Sequence, residues 1–249
     1  MNALIVGASR GIGRRTAEIL ALRGWDLMLV ARSGEPLEQL SQSLSTHGKK
    51  VHVRALDLTD PVAIPTGMAA LLEQGEPPSV LINNAGANHL GEPGGFDVAV
   101  AEKLFALNVF SPMRLVEAVL PAMRRRQHGT IVNIASIAAA NAPGMMTHYA
   151  ATKAALARYS EGLATQLEEE GIKVLTVYPG PVKTPMEDLV RDQLGGDLGM
   201  GDRLPSGRAD ELAIKIEQAI KRSKRRLVYP GFYASALWLP LLGQRLTDE

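Results

Sequence analysis

The sequence predicts an α/β chain: a doubly wound, seven-stranded parallel sheet with helices on both faces, in one domain. Three observations predict it. Short apolar runs of strand length recur at Ala3–Val6, Leu27–Ala31, Val51–Leu56, Val80–Ile82, Thr130–Ile134, Val174–Val177 and Leu227–Tyr229. Their Val, Ile and Leu bias is that of strands covered on both faces, and the segments between them are long enough for crossover helices. Gly24, Gly48, Gly75, Gly129 and Gly171 stand just before five of the runs, where a left-handed residue closes a helix. Helix, glycine, strand, repeated, gives right-handed βα units laid side by side.

Composition agrees with one globular domain. The 249 residues are 46% hydrophobic and 21% charged, which excludes a disordered or fibrous chain. Lys plus Arg number 27 against 26 for Asp plus Glu, so no net field draws nucleic acid or an anionic membrane. The absence of cysteine excludes disulfides, thiolate metal sites and cysteine nucleophiles. Met1 to Val6 lacks the basic flank of a signal peptide. The expectation is a soluble, cytoplasmic protein. The stretch 231–243 is the most apolar, but Pro240 interrupts it and it falls short of the ~20 residues of a membrane span; buried packing is expected there. Asp60-Pro61 reads as a helix cap followed by a first-turn proline. The segment 181–207, rich in glycine and proline, reads as an irregular, flexible flap.

The first run ends in Gly7-Ala8-Ser9-Arg10-Gly11-Ile12-Gly13 and feeds a helical segment. A strand entering a helix through glycines brings backbone N–H groups to the positive helix end, where a pyrophosphate binds. Gly7 permits the tight turn, Gly11 the close ligand approach, and Gly13 the contact between helix and sheet. This is the first crossover of a Rossmann-like fold.

From Ala3 to about Tyr229 the chain resembles the short-chain dehydrogenase/reductase family, through several motifs in the family's order. They are the glycine turn, Asp57-Leu58, Asn83-Asn84-Ala85-Gly86, Asn108, Ser136, Tyr149-x3-Lys153, and Pro179-Gly180 with Thr184. Val6 departs from the pattern, standing where the family usually has threonine. The resemblance implies hydride transfer between NADP(H) and a carbonyl or secondary alcohol. A non-catalytic NADP-binding redox sensor is the alternative.

Tyr149 and Lys153, four apart, share one face of a helix whose buried stripe runs on through Leu156, Ser160, Leu163 and Leu167. A phenol must fall by roughly three pKa units to act as a base near neutrality, about 4 kcal/mol, and the lysine is expected to supply part of that fall. Ser136 follows the fifth strand at its carboxyl edge, where such folds bind ligands; the resemblance has it orient the substrate carbonyl. Asn108 continues an apolar stripe from Val98 to Met123 and points inward, where a polar group needs a partner. Pro112 lacks the amide that would bond the Asn108 carbonyl. The resemblance makes Asn108 the anchor of a water in a proton relay. It also assigns cofactor contacts to Ser9, Asp57 (adenine), Leu58, Asn84 to Gly86 (ribose), Pro179, Gly180, and Val182 with Thr184 (carboxamide).

The second strand ends in Ala31-Arg32-Ser33, without the carboxylate that binds a ribose 2′-hydroxyl in NAD enzymes of this architecture. Arg32, with Arg10 from the glycine turn, suits a 2′-phosphate instead, so NADPH preference is expected. Glu35 is the one nearby acid, and Pro36 starts a helix that carries it away. The five histidines show no ligand spacing, so no metal is expected. Arg124 to Arg126 and the run Lys221 to Arg226 read as solvated helix ends. Uncharged Ile137–Thr147, with Met186 and Leu189, predicts a mostly apolar substrate. The resemblance adds a homodimer or homotetramer, with Ala150, Ala151, Ala154 and Ala155 allowing close helix contact.

Overall fold

The computed structural model describes residues 1–45, 50–91, 97–196 and 205–238. All seven predicted runs are strands. They are β1 (Asn2–Val6), β2 (Asp26–Ala31), β3 (Val51–Ala55), β4 (Val80–Asn83), β5 (Gly129–Ile134), β6 (Ile172–Pro179) and, last in the chain, β9 (Arg226–Tyr229). They form one parallel sheet in the order β3-β2-β1-β4-β5-β6-β9. The order reverses between β1 and β4, and in such sheets ligands bind at the carboxyl edge beside that switch point.

Alternate strand residues face two separate cores. Ala3 and Ile5 of β1 pack with α1 (Gly11–Leu22), α2 (Gly34–Ser45) and α8 (Ala209–Lys221), through Leu20, Leu37, Leu40, Leu212 and Ile216. Leu4 and Val6 pack on the other face with α3 (Ala63–Leu72), α5 (Ser111–Arg126) and α6 (Thr147–Gln166), through Met68, Leu71, Val116, Val119 and Leu163. The stretch Val98–Arg126 is apolar and long enough to cross a membrane by composition, yet half of its most apolar window is buried inside the fold. It is a core helix.

Several expectations need correction. Val51–Leu56 was expected to be covered on both faces, but β3 is the sheet's edge strand, and Arg54 and Ala55 are exposed. Gly24 and Gly171 are left-handed (φ +83° and +72°), whereas Gly75 and Gly129 are not. At the end of α5 the left-handed residue is Gln127 (φ 50°). Gly129 begins β5 instead, and a Cβ there would lie 2.5 Å from Met123 Sδ. Gly48 lies outside the described residues. Asp60 does accept the amides of Val62 and Ala63, at 2.8 and 3.2 Å, but α3 starts at Ala63, two residues past Pro61.

The predicted helix through Asn108 is continuous but locally widened. α4 (Val98–Phe105) passes into a widened turn, Ala106–Phe110, closed by a bond from Ser111 N–H to the Ala106 carbonyl, and then into α5 with Pro112 in its first turn. Of the segment 181–207, residues 197–204 lie outside the described residues; among the rest, β7 (Val182–Lys183) pairs with β8 (Gly207–Arg208), and α7 (Pro185–Gln193) follows β7.

Beyond β9, Tyr233 is buried, and Leu237 of α9 (Ala234–Trp238) packs on Ala135, Ala157 and Tyr178. Phe232 is 61% exposed, against the expectation of buried packing, and 239–243 lies outside the described residues. The basic residues are exposed at the ends of α5 and α8, as expected, and several also carry surface ion pairs. Lys221 pairs with Glu217, Arg225 with Glu168 and Arg226 with Glu161, while Arg124 forms a two-bond pair with Glu170 at 2.6 and 3.0 Å.

Candidate functional site at the carboxyl edge

At Gly7 and Gly13 the glycine turn is built by contacts that only hydrogen can occupy. Gly7 has φ +83°, and a Cβ there would lie 2.7 Å from the Ala85 backbone. One at Gly13 would lie 2.2 Å from the Gly7 carbonyl oxygen and 2.5 Å from Asn84 Nδ2. Gly11, at φ +57°, has only Thr184 side-chain carbons near it, at 3.6 Å. The tight turn at Gly7 and the close packing at Gly13 are as read from the sequence. Asn84 Nδ2 donates to the Gly7 carbonyl at 3.0 Å, which joins the end of β4 to the turn. Ser9 is half-buried, and Ile12 packs against the core beside it.

Arg10 and Arg32 are both exposed, and no ion pair holds either among the described residues. Glu35 is directed along α2, accepting from Gln39 at 3.3 Å, as the sequence predicts. Asp57 accepts from the Thr59 amide (2.9 Å) and hydroxyl (2.8 Å). These bonds, and then the Arg32 charge, hold its carboxyl below the usual range. Leu58 is buried among Leu56, Val30 and Leu4, so its side chain belongs to the core rather than to a ligand surface. Thr184 caps α7, its Oγ1 accepting from the Glu187 amide at 3.4 Å and donating to the Val182 carbonyl at 3.1 Å. Gly180 faces the Tyr233 ring, 2.7 Å from where a Cβ would be.

The other four predicted residues come together across the switch point. Ser136 ends the loop after β5, donating to the Pro179 carbonyl (3.4 Å) and accepting from the Ala138 amide (3.1 Å). Its hydroxyl also lies near enough to the Tyr149 phenol to favour the ionised form. Lys153 is buried, donates to the Ile134 carbonyl at 2.9 Å, and lies 5.7 Å from the centroid of the Tyr149 ring. Asn108 is fully buried on the widened turn. A Cβ on Gly86 would meet Asn108 Oδ1 at 3.2 Å and Lys153 Nζ at 3.4 Å, so Gly86 is the wedge between the two.

The electrostatics correct one expectation. Burial pushes the Tyr149 phenol up from its ordinary value, the Ser136 hydroxyl opposes this, and the Glu187 charge adds to the rise. Lys153 does not offset it: its ammonium stands over the ring face and is held by the Ile134 carbonyl. Burial brings Lys153 itself down to about 8. The chain alone therefore keeps Tyr149 protonated, able to donate to a carbonyl oxygen.

Sequence reasoning missed several neighbours of the site. Thr152 and the Ala87 backbone hold Asn108. A buried relay runs from Asn83 Nδ2 to Asn133 Oδ1 and from Asn133 Nδ2 to Ser160 Oγ, each at 2.8 Å. A polar residue inside the apolar run Thr130–Ile134 was the available signal for Asn133. His89 and His148 face each other with ring centroids 6.5 Å apart, and Glu187 influences both Tyr149 and Tyr233. Leu189, expected to line an apolar pocket, is 53% exposed.

Comparison with known proteins decides the family. The family model described as short chain dehydrogenase matches residues 1–195. The chain belongs to the short-chain dehydrogenase family. A 3-oxoacyl-[acyl-carrier-protein] reductase of Escherichia coli is 34% identical over 215 residues, 85% of this chain and 86% of that protein. A short-chain dehydrogenase from Sphingobium yanoikuyae, solved in complex with NADPH, superposes with a TM-score of 0.83 at 33% identity, covering 98% of this chain and 93% of that one. The L-sorbose reductase of Gluconobacter frateurii, complexed with NADPH and L-sorbose, gives 0.84 at 27% identity, over 92% and 95%. For this short-chain dehydrogenase, the glycine turn and the Ser136–Tyr149–Lys153 cluster flank one switch point.

Proposed function

We propose that the protein is an NADP(H)-dependent oxidoreductase that transfers hydride between the nicotinamide and a carbonyl or secondary alcohol. The observation that carries this is the cluster of Ser136, a protonated Tyr149 phenol and buried Lys153, next to a glycine cradle that a single Cβ would fill. The cradle fits a dinucleotide: Gly7, Gly11 and Gly13 leave the backbone bare at the amino end of α1. Bound NADP(H) supplies the hydride; the chain supplies the rest.

Ser136 orients the substrate oxygen, and Tyr149 donates its proton to that oxygen in reduction or takes it back in oxidation. Lys153 holds the ribose and returns a proton to Tyr149, and its lowered pKa eases that transfer. Asn108 keeps Gly86 and Lys153 in place and anchors the relay. Arg32 and Arg10, exposed and in no ion pair among the described residues, receive the 2′-phosphate, with Ser9 beside them. Asp57, Asn84 to Gly86, Pro179, Gly180, Val182 and Thr184 complete the cofactor contacts, and Leu58 and Ile12 support them from the core.

The substrate we propose is a small carbonyl compound, largely apolar against Ala138, Ala139 and Met186, with room for a polar group near Glu187 and His148. The segment 181–207 acts as the flap over it. The protein is cytoplasmic and works as a homodimer or homotetramer. Attachment to a membrane through the basic run is disfavoured, because Arg225 and Arg226 are paired with Glu168 and Glu161. Purified protein with a panel of ketones and aldehydes should consume NADPH, and NADH at least tenfold less efficiently. Binding of NADPH without consumption across the panel would favour a redox sensor instead.

A further inference from the structure

We propose that Thr152 is a positioning residue for Tyr149 and Lys153, acting by locking the Asn108 side chain to the first turn of α6. The proposal rests on the catalytic reading above. Thr152 is fully buried, in the interior of a helix, where a threonine hydroxyl can turn back to a carbonyl three or four residues earlier. It does so here: Oγ1 donates to the Tyr149 carbonyl at 2.7 Å. A hydroxyl has one proton, so toward Asn108 Nδ2, at 3.0 Å, it acts as an acceptor.

That direction fixes the next one. Asn108 Nδ2 donates to Thr152 and to the Ala87 carbonyl at 2.9 Å, and Oδ1 accepts the Ala87 amide at 2.9 Å. Both amide protons and the amide oxygen are engaged, in the one orientation Thr152 permits. Three segments are tied at this point: the chain after β4 at Ala87, the widened turn at Asn108, and α6 between Tyr149 and Lys153. Gly86, one residue before Ala87, is the wedge against Lys153 Nζ. The Thr152 hydroxyl thus sets how far the first turn of α6 stands from the loop that carries Gly86. Catalytic geometry is sensitive to such a distance, since ~1 Å of misplacement costs on the order of a hundredfold in rate.

The test compares Thr152→Val, which keeps the shape and removes the hydroxyl, with Thr152→Ser, which keeps the hydroxyl. Wild-type protein is first shown to reduce a carbonyl with NADPH; if it reduces none, the functional reading fails and not the role of Thr152. Given that activity, Thr152→Val is expected to lower kcat by ten- to a hundredfold, with KM and NADPH affinity within about threefold, and to displace the pH limb of kcat. Thr152→Ser should restore kcat to within about threefold of wild type. If Thr152→Val is not recovered folded, Thr152→Ala takes its place in the comparison. A folded hydroxyl-free variant with wild-type kcat and pH profile overturns the proposal. So does loss of folding in both Thr152→Val and Thr152→Ala, which would leave Thr152 a structural role alone.

Discussion

The corner made by β1 and β2 and the corner made by β4, β5 and α6 adjoin at the same edge of the sheet, yet they are organised on opposite principles. The first is bare backbone. Its glycines remove side chains, and its charged residues, Arg10 and Arg32, are exposed and outside any ion pair among the described residues. The second is a buried polar lattice: Asn83, Asn108, Asn133, Thr152 and Ser160 are each at most 3% exposed, and each is hydrogen-bonded to another segment or another turn. The difference teaches where cooperation is to be found. Substitutions in the first corner should act singly and on cofactor affinity. Those in the second should act together, because partners in one buried network do not contribute additively.

The largest effect is expected at Gly13, where, as at Gly7, the first corner is as tightly packed as the second. In Gly13→Ala the new methyl meets the Gly7 carbonyl, which is backbone and cannot swing aside, and Asn84 Nδ2, which is tied to that carbonyl. Such overpacking costs roughly 3 kcal/mol or more, so a fall in Tm together with loss of NADPH binding by fluorescence titration is expected. Unchanged binding would show that the turn yields. In the second corner, Asn133→Leu removes the acceptor for Asn83, whose Oδ1 already has no partner. Buried polar groups left unpaired cost about 1–3 kcal/mol each, and urea unfolding should register a loss of about 2–4 kcal/mol. Asn83→Leu with Asn133→Leu should lose less than the two single losses added. Strict additivity would dissolve the lattice into separate contacts.

A smaller effect comes from pH. Lys153, brought down to about 8 in the fold, titrates at about 10.4 when unfolded. Between these values the unfolded chain holds more protons than the folded one, so stability rises with pH over that interval. Tyr149, raised by burial, works the other way only above pH 10. From pH 8 to 10 the wild type should therefore gain about 2 kcal/mol relative to Lys153→Met. Parallel curves for the two proteins would place the lysine in a more polar setting than its contacts describe.

Much of the fold was legible because its signals are local. Strand runs and glycines carry their reasons within a few residues, which is why all seven strands appear and why Gly7 and Gly13 have the roles expected. Where a reason is tertiary, the sequence misleads. Gly129 is glycine for the sake of Met123, and the left-handed position passes to Gln127. The arginines of the basic runs meet glutamates 46 to 65 residues away, which no local pattern reveals. The catalytic four were recognisable as a motif, but their supports were not. Thr152 resembles filler in Tyr-Ala-Ala-Thr-Lys, Ala87 acts through its backbone, and Glu187 lies in a segment read as irregular. The same distance explains the misjudged tyrosine: four residues along a helix bring Lys153 near the ring, while the Ile134 carbonyl decides where its ammonium rests.

The central claim is that one corner binds and the other reacts. It is tested most directly by measuring NADPH dissociation constants and carbonyl-reduction kcat for Arg32→Ala and Tyr149→Phe in the same buffer at the same salt. Charge-assisted bonds contribute roughly 1.5–3 kcal/mol, so Arg32→Ala should weaken NADPH by about ten- to a hundredfold and leave kcat at saturating cofactor nearly unchanged. Tyr149→Phe should abolish turnover and bind NADPH within about threefold of wild type. If Tyr149→Phe turns over, or if Arg32→Ala binds NADPH as wild type does, that division of labour is wrong.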